Sequence, residues 1–216
     1  QNNSQINEMI KKVNKRRFRT HTNPFNYDKA MPALNLKDTV PNFKGLVDVE
    51  FGFGKGVFLR SWAKAHPERF LVGFEIRKLL VSYVQEKCER ESVSNVCLVH
   101  GAAKNGLEGS LQSCKIENVF IFHPDPWFKK KHHKRRLVNK TFIESLMPLL
   151  VEGANLYILT DVEELFIEIQ EVFNTFPSFK KSKTSFWDGP YESHWSAFSK
   201  EENRSHYKVS YSFCVK

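Results

Sequence analysis

Leu46-Val47-Asp48-Val49-Glu50-Phe51-Gly52-Phe53-Gly54-Lys55-Gly56-Val57-Phe58-Leu59 passes from an apolar run through a glycine turn into a helical pattern. Residues 46–51 predict a short buried strand. Residues 57–66 predict a helix, because Phe58, Leu59, Trp62 and Ala63 fall on one face. Glycines between the two let the backbone take strained φ/ψ values and come close to a ligand. The alternation continues downstream, with strands expected at 70–74, 96–99, 118–122 and 155–159, and helices at 79–90, 142–150 and 162–173. At the end, Tyr207, Val209, Tyr211, Phe213 and Val215 alternate with smaller or polar residues, a strand with one buried face. Alternating strands and helices predict an α/β domain with a mostly parallel sheet covered on both sides. We place that domain at 41–216, after a basic arm at 1–40 that lacks periodicity.

The charge is unevenly placed. The chain has 216 residues, with 33 Lys and Arg against 24 Asp and Glu, a net +9. Residues 11–19 hold six cations and residues 129–136 hold six more, leaving 21 bases against 24 acids elsewhere. Excess charge confined to two short acid-free runs is the footprint of a phosphate-binding surface. Neither run has the large apolar face of a membrane-surface helix, and no stretch of 18 apolar residues occurs. Cys88, Cys97, Cys114 and Cys214 show no C-x-x-C spacing, so we expect neither metal nor disulfide, and a reducing cytoplasm fits.

The glycine turn departs from the dinucleotide fingerprint G-x-G-x-x-G, which would need glycine where Val57 stands. Glu50, just before the turn, would repel a pyrophosphate but could pair with a cation such as the sulfonium or amino group of S-adenosylmethionine. Glu75, at the tip of the second strand, occupies the usual place of an acid that binds ribose hydroxyls. Its simpler reading is a salt bridge with Arg77 or Lys78. Together these residues favour a methyl donor over a nicotinamide.

Pro124-Asp125-Pro126-Trp127 follows the strand at 118–122, at the edge where open α/β sheets bind ligands. Flanking prolines fix φ on either side of Asp125 and hold its carboxylate in a surface-lying turn. The cationic run follows at once, so a rigid acid lies beside a platform for a polyanion.

With these motifs in order, the chain resembles the bacterial tRNA (guanine-N7)-methyltransferases from Arg17 onward. Residues 50–59 are similar to E-I-G-F-G-x-G-x-F-L, and residues 73–77 to G-I-E-x-R. Residues 124–136 are similar to P-D-P-W-x-K-x-R-H-x-K-R-R, residues 160–163 to T-D-x-E, and residues 17–24 to R-x-R-x-H-x-N-P. The resemblance implies a class I S-adenosylmethionine-dependent methyltransferase fold, Rossmann-like, with an antiparallel C-terminal strand. It implies methyl-donor contacts at Glu50, Gly52, Gly54, Glu75, Ala102 and Asp125. It places guanine and RNA contacts at Lys129, Lys131, His132, Lys134, Arg135, Arg136, Asp161 and Glu192. Three positions depart from the family pattern. Ala102-Ala103 stands where the family has an acid and alanine, so the adenine contact there could be a backbone amide. His123 stands where Phe is common. Gly189-Pro190-Tyr191-Glu192 stands for T-x-F/Y-E, with Thr184-Ser185-Phe186-Trp187 as a competing alignment.

The implied reaction moves a methyl group from S-adenosylmethionine to N7 of a tRNA variable-loop guanine. Asp125 is expected as the central acid, with Asp161 and Glu192 holding a flipped base by its Watson–Crick edge. Asp161 could also cap the following helix. The partner is tRNA, with no membrane and no obligatory protein partner, and the chain is expected to be a monomer or homodimer. The alternatives are a non-catalytic RNA-binding protein on a methyltransferase fold and, less favoured, a nicotinamide enzyme.

Overall fold

Residues 31–36, 43–191 and 204–215 are described in a computed structural model of the protein. Seven strands are present among them: β1 (Leu46–Phe51), β2 (Leu71–Glu75), β3 (Val96–His100), β4 (Lys115–Phe122), β5 (Leu150–Thr160), β6 (Phe179–Lys181) and β7 (Tyr207–Phe213). They form one sheet in the order β3-β2-β1-β4-β5-β7-β6. The first five pair in parallel, and β7 runs antiparallel to both β5 and β6. The reversal of strand order between β1 and β4 opens a crevice at their carboxyl ends, where ligands bind in such sheets.

Helices on both faces explain why β1, β2 and β4 read as nearly continuous apolar runs. Val119 and Ile121 of β4 point to one core with α3 (Lys140–Leu146) and α4 (Glu163–Asn174), through Phe142, Ile143, Leu165 and Ile169. Phe120 and Phe122 point to the other, with α1 (Val57–Ala65) and α2 (Lys78–Arg90), through Phe58, Trp62, Tyr83 and Val84. The strand period of two sorts these residues between the layers.

Several boundaries differ from expectation. The fifth strand is eleven residues long, with Gly153 at φ 75, and it begins where a helix end was expected. Helix α3 stops at Leu146 because Pro148 lacks an amide hydrogen, and residues 147–149 tighten into a 3-10 turn. Strand β6 was not expected, since three residues carry no readable period. Residues 31–36, assigned to the arm, lie against the domain: Leu36 is buried and the Leu34 amide donates to Ser110 O at 2.9 Å.

At the opposite edge, the buried carboxylate of Asp48 ties three elements together. It accepts two hydrogen bonds from Arg69 at 2.6 Å, one from Trp62 Nε1 at 2.9 Å and one from Asn118 Nδ2 at 2.8 Å. Asp48→Ala would leave Trp62 and Asn118 without this acceptor and Arg69 with Glu117 alone. Urea unfolding should show a loss of about 3–5 kcal/mol, and a loss below about 1 kcal/mol would remove this role from Asp48.

Candidate active site at the carboxyl edge of the sheet

Gly52, Glu75, Ala102, His123, Asp125 and Trp127 contribute to the lining of a cavity of about 150 Å³ at the ends of β1, β2, β3 and β4. The glycines of the turn have different tasks, although all three are left-handed: Gly52 at φ 82, Gly54 at φ 56 and Gly56 at φ 63. A Cβ on Gly52 would meet nothing within 4 Å, so this glycine leaves open space beside the cavity wall. A Cβ on Gly56 would lie 2.6 Å from Val84, so there glycine is needed for α1 to approach α2.

Glu50 is 2% exposed, and its Oε2 has no hydrogen-bond partner. Burial, followed by the negative charge of Glu75, pushes its pKa up to about 8. A buried oxygen without a donor suits a cationic ligand group better than it suits the empty fold. Glu75 accepts from the Gly54 amide at 3.0 Å, the Arg77 amide at 3.0 Å, and the Arg77 side chain at 2.8 and 3.0 Å. The salt-bridge reading of Glu75 is therefore realised, with the carboxylate kept at the cavity wall. Against the effect of burial, Glu75 and then the charge of Asp125 raise the pKa of Arg77.

The Asp125 turn is mostly buried rather than surface-lying, because Pro124, Pro126 and Trp127 all pack inward. His123 at φ 49 and Trp127 at φ 44 bracket it with left-handed residues, a conformation uncommon outside glycine. The prolines do not hold it alone. Arg136 Nε donates to Pro126 O at 2.7 Å, and the same guanidinium binds Glu164 at 3.0 Å and also Glu168 of α4. Arg136 is 2% exposed. The expectation that it contacts RNA is thus corrected: its donors face the protein's own carbonyl and carboxylates. His133, Glu164 and Glu168 converge at metal-ligand spacing, but Arg136 already supplies the positive charge among them.

Asp161 does not cap α4, whose N-cap is Val162. Its Oδ1 lies 3.2 Å from His123 Nδ1, and its Oδ2 accepts from Arg204 at 3.2 Å. The carboxylate after β5 is thereby linked through His123 to the cavity below Asp125. The His123–Asp161 link was not foreseen. His123 was noted only as a departure from a pattern, and the two residues are 38 positions apart.

Lys129, Lys131 and Lys134 are exposed, as a phosphate-facing surface requires. Arg135 stacks its guanidinium on Trp127 at 5.1 Å, and its Nε is buried without an acceptor. Partial desolvation, then the charges of Arg135, Lys131, Lys129 and Lys134, lower the pKa of His132. Beyond Ala102, Ala103, Arg135 and Leu137, a second cavity of about 560 Å³ adjoins the first, and Lys104, Lys134 and Lys140 also line it. Glu192 and residues 1–30 lie outside the described residues, and so do the arm's cations. In the competing segment, Thr184 Oγ1 accepts from the Phe186 amide at 3.1 Å, and Phe186 and Trp187 pack against the core that holds Phe120 and Tyr157.

Comparison with known proteins bears on the family and the fold. A family described as putative methyltransferase matches residues 44–214. The tRNA (guanine-N(7)-)-methyltransferase of Microcystis aeruginosa is 31% identical over 176 residues, covering 79% of this chain and 83% of that protein. The enzyme of the same name from Shewanella woodyi is 35% identical over 63% of this chain and 58% of its own length. Among solved structures, the 16S rRNA methyltransferase KamB superposes with a TM-score of 0.60 at 11% identity, over 88% of this chain and 98% of that one, a likeness of fold.

The burial of Arg136 and the exposure of Lys134 predict opposite behaviour for neighbouring cations. Arg136→Gln should lower stability by about 3–5 kcal/mol, as for a broken buried ion pair. Lys134→Gln should leave the melting temperature unchanged and reduce the salt dependence of RNA binding by about 0.7–0.9 in the log–log slope. Melting curves and a salt titration of both variants decide the assignment, and a stable Arg136→Gln would reverse it.

Proposed function

The chain belongs to the tRNA (guanine-N7)-methyltransferase family, and from that premise we propose that it methylates N7 of a guanine in the variable loop of tRNA, with S-adenosylmethionine as methyl donor. The observation that carries the reading is the placement of Asp125 on the donor cavity, linked by His123 to Asp161 and followed directly by exposed lysines. A cytosolic setting fits a tRNA substrate, and no helix among the described residues is long and apolar enough to cross a membrane.

The residues fit the donor. Glu50 has a buried oxygen lacking a partner, Gly52 leaves open space beside the cavity, and Glu75 stands at the end of β2. When bound, S-adenosylmethionine supplies an electrophilic methyl carbon on a sulfonium. Guanine N7 carries a lone pair and no proton, so the chain needs no strong general base. Its task is to align N7 with the methyl carbon and sulfur, which lowers the barrier by pre-paying orientation. In that alignment the N7–carbon bond would form as the carbon–sulfur bond breaks, and the positive charge would pass from sulfur to the purine. Asp125, fixed in its turn, stabilises that charge without reorganising. Asp161 accepts from the Watson–Crick edge of the flipped base once Arg204 yields its oxygen, with Glu192 assigned to the same edge by the family pattern. Lys129, Lys131, Lys134 and Arg135 hold phosphates, and the 1–40 arm adds sequence-independent attraction. Ala102 lacks the family's acid, and we assign the adenine contact to the backbone there.

The rival, an RNA-binding protein without catalysis, predicts no donor affinity. Calorimetry with S-adenosylmethionine alone separates the two, followed by assay of unmodified tRNA with location of the modified base. Asp125→Ala should reduce methyl transfer at least a hundredfold, about 2.7 kcal/mol of barrier. Turnover above about a tenth of wild type would end the central role of Asp125.

The raised pKa of Glu50 gives a pH signature. In the unfolded chain its proton leaves near 4.5, and in the fold near 8. Its contribution to stability is therefore full below 4.5 and is lost as pH rises towards 8. A cationic donor pairs with the ionised form, so binding at pH 7 should release close to one proton, falling towards none well above pH 8. Calorimetry in buffers of different ionisation enthalpy measures this release. Glu50→Gln should abolish it and weaken donor affinity, and an unchanged proton count in that variant would exclude Glu50.

A further inference from the structure

Phe128 is 64% exposed, and among the described residues it is the only aromatic on a short roll of exposed large apolar side chains. A single exposed apolar residue means little by itself. This one stands three residues after Asp125, on backbone that cannot fold it away. Trp127 before it is left-handed and buried, and Arg136 clamps Pro126 O. Lys129 after it is extended, leading into the 3-10 turn Lys130–Arg135. Trans-peptide spacing puts the Phe128 Cα within about 11 Å of the Asp125 Cα, a few stacked bases at most. The exposed phenyl ring thus stands on the chain just beyond the proposed site, with exposed Lys129, Lys130 and Lys131 directly after it.

That combination has a specific chemical use. A guanine drawn towards Asp125 leaves a vacancy in the RNA stack, with the faces of its neighbours open to water. An aromatic side chain restores the lost stacking whatever the neighbouring base, because every base presents a π-face. Exposed lysines beside the ring can hold the phosphates of the same nucleotides. Resting on the function proposed above, we propose that Phe128 is a positioning residue that stacks in the space vacated by the target guanine and keeps that base out of the stack.

The test uses the full-length protein and an unmodified tRNA transcript, with Phe128→Ala, Phe128→Leu and Phe128→Trp. Phe128→Ala should lower kcat/KM about ten- to a hundredfold, with melting temperature, donor affinity and the salt slope of tRNA binding unchanged. Phe128→Trp should restore activity, and Phe128→Leu should not, because bulk without a π-face does not stack. The decisive comparison is a transcript carrying abasic nucleotides on both sides of the target guanine. With no neighbour to stack on, wild type and Phe128→Ala should become equal. Wild-type kcat/KM in Phe128→Ala, full rescue by leucine, or a difference that persists on the abasic transcript would overturn the proposal. If wild-type protein binds the donor but makes no N7-methylguanine in any transcript, the functional reading fails instead.

Discussion

The guanidinium of Arg136 joins three parts of the chain that sequence separates: the carbonyl of Pro126, the imidazole of His133, and the carboxylates of Glu164 and Glu168 on α4. The turn that carries Asp125 is tied to α4 through it. The turn holding Asp125 contains left-handed His123 and Trp127, and such strain persists only where the surroundings over-determine it. The basic loop must also leave the turn in a fixed direction for its lysines to face outward. A buried cation with four partners from three segments meets both needs. Removing one side of such a pair leaves uncompensated charge in the interior, which is why the arrangement is stiff.

On this frame the sheet presents its acids in strand order. Glu75 ends β2, Glu50 lies near the end of β1, Asp125 follows β4 and Asp161 follows β5. Adjacent strands are about 4.8 Å apart, so the row extends over roughly 14 Å. In the proposed reaction positive charge enters as a sulfonium and leaves on a purine, and a row of carboxylates suits both ends of that path. Without substrate the same row would repel itself. The fold answers with Arg77 on Glu75 and Arg204 on Asp161, and burial pushes the Glu50 pKa up to about 8, so ion pairing and a raised pKa both lower the charge.

The layers and the strand ends were readable in the sequence because their causes are local. The strand at 46–51, the glycine turn and the helix from Val57 follow from apolar period and from residues that tolerate positive φ. The eleven-residue β5 was shortened in that reading because Glu152 and Gly153 interrupt its apolar run, whereas pairing with β4 and β7 overrides local propensity. Strand β6 had no period to detect, and it exists because β7 offers it an edge.

Sequence by itself determined the class of fold and which acids and cations stand beside the strand ends, since each is encoded within a few consecutive residues. Only tertiary structure decided how those groups are partnered. Lys134 and Arg136 are two residues apart in one cationic run, yet one is exposed and the other is buried on α4. His123 reaches Asp161 across 38 positions, and Arg204 reaches it across 43. Residue type sets what a side chain can do, but burial and the identity of its partner depend on chain segments far apart in sequence, and these meet only in the folded sheet.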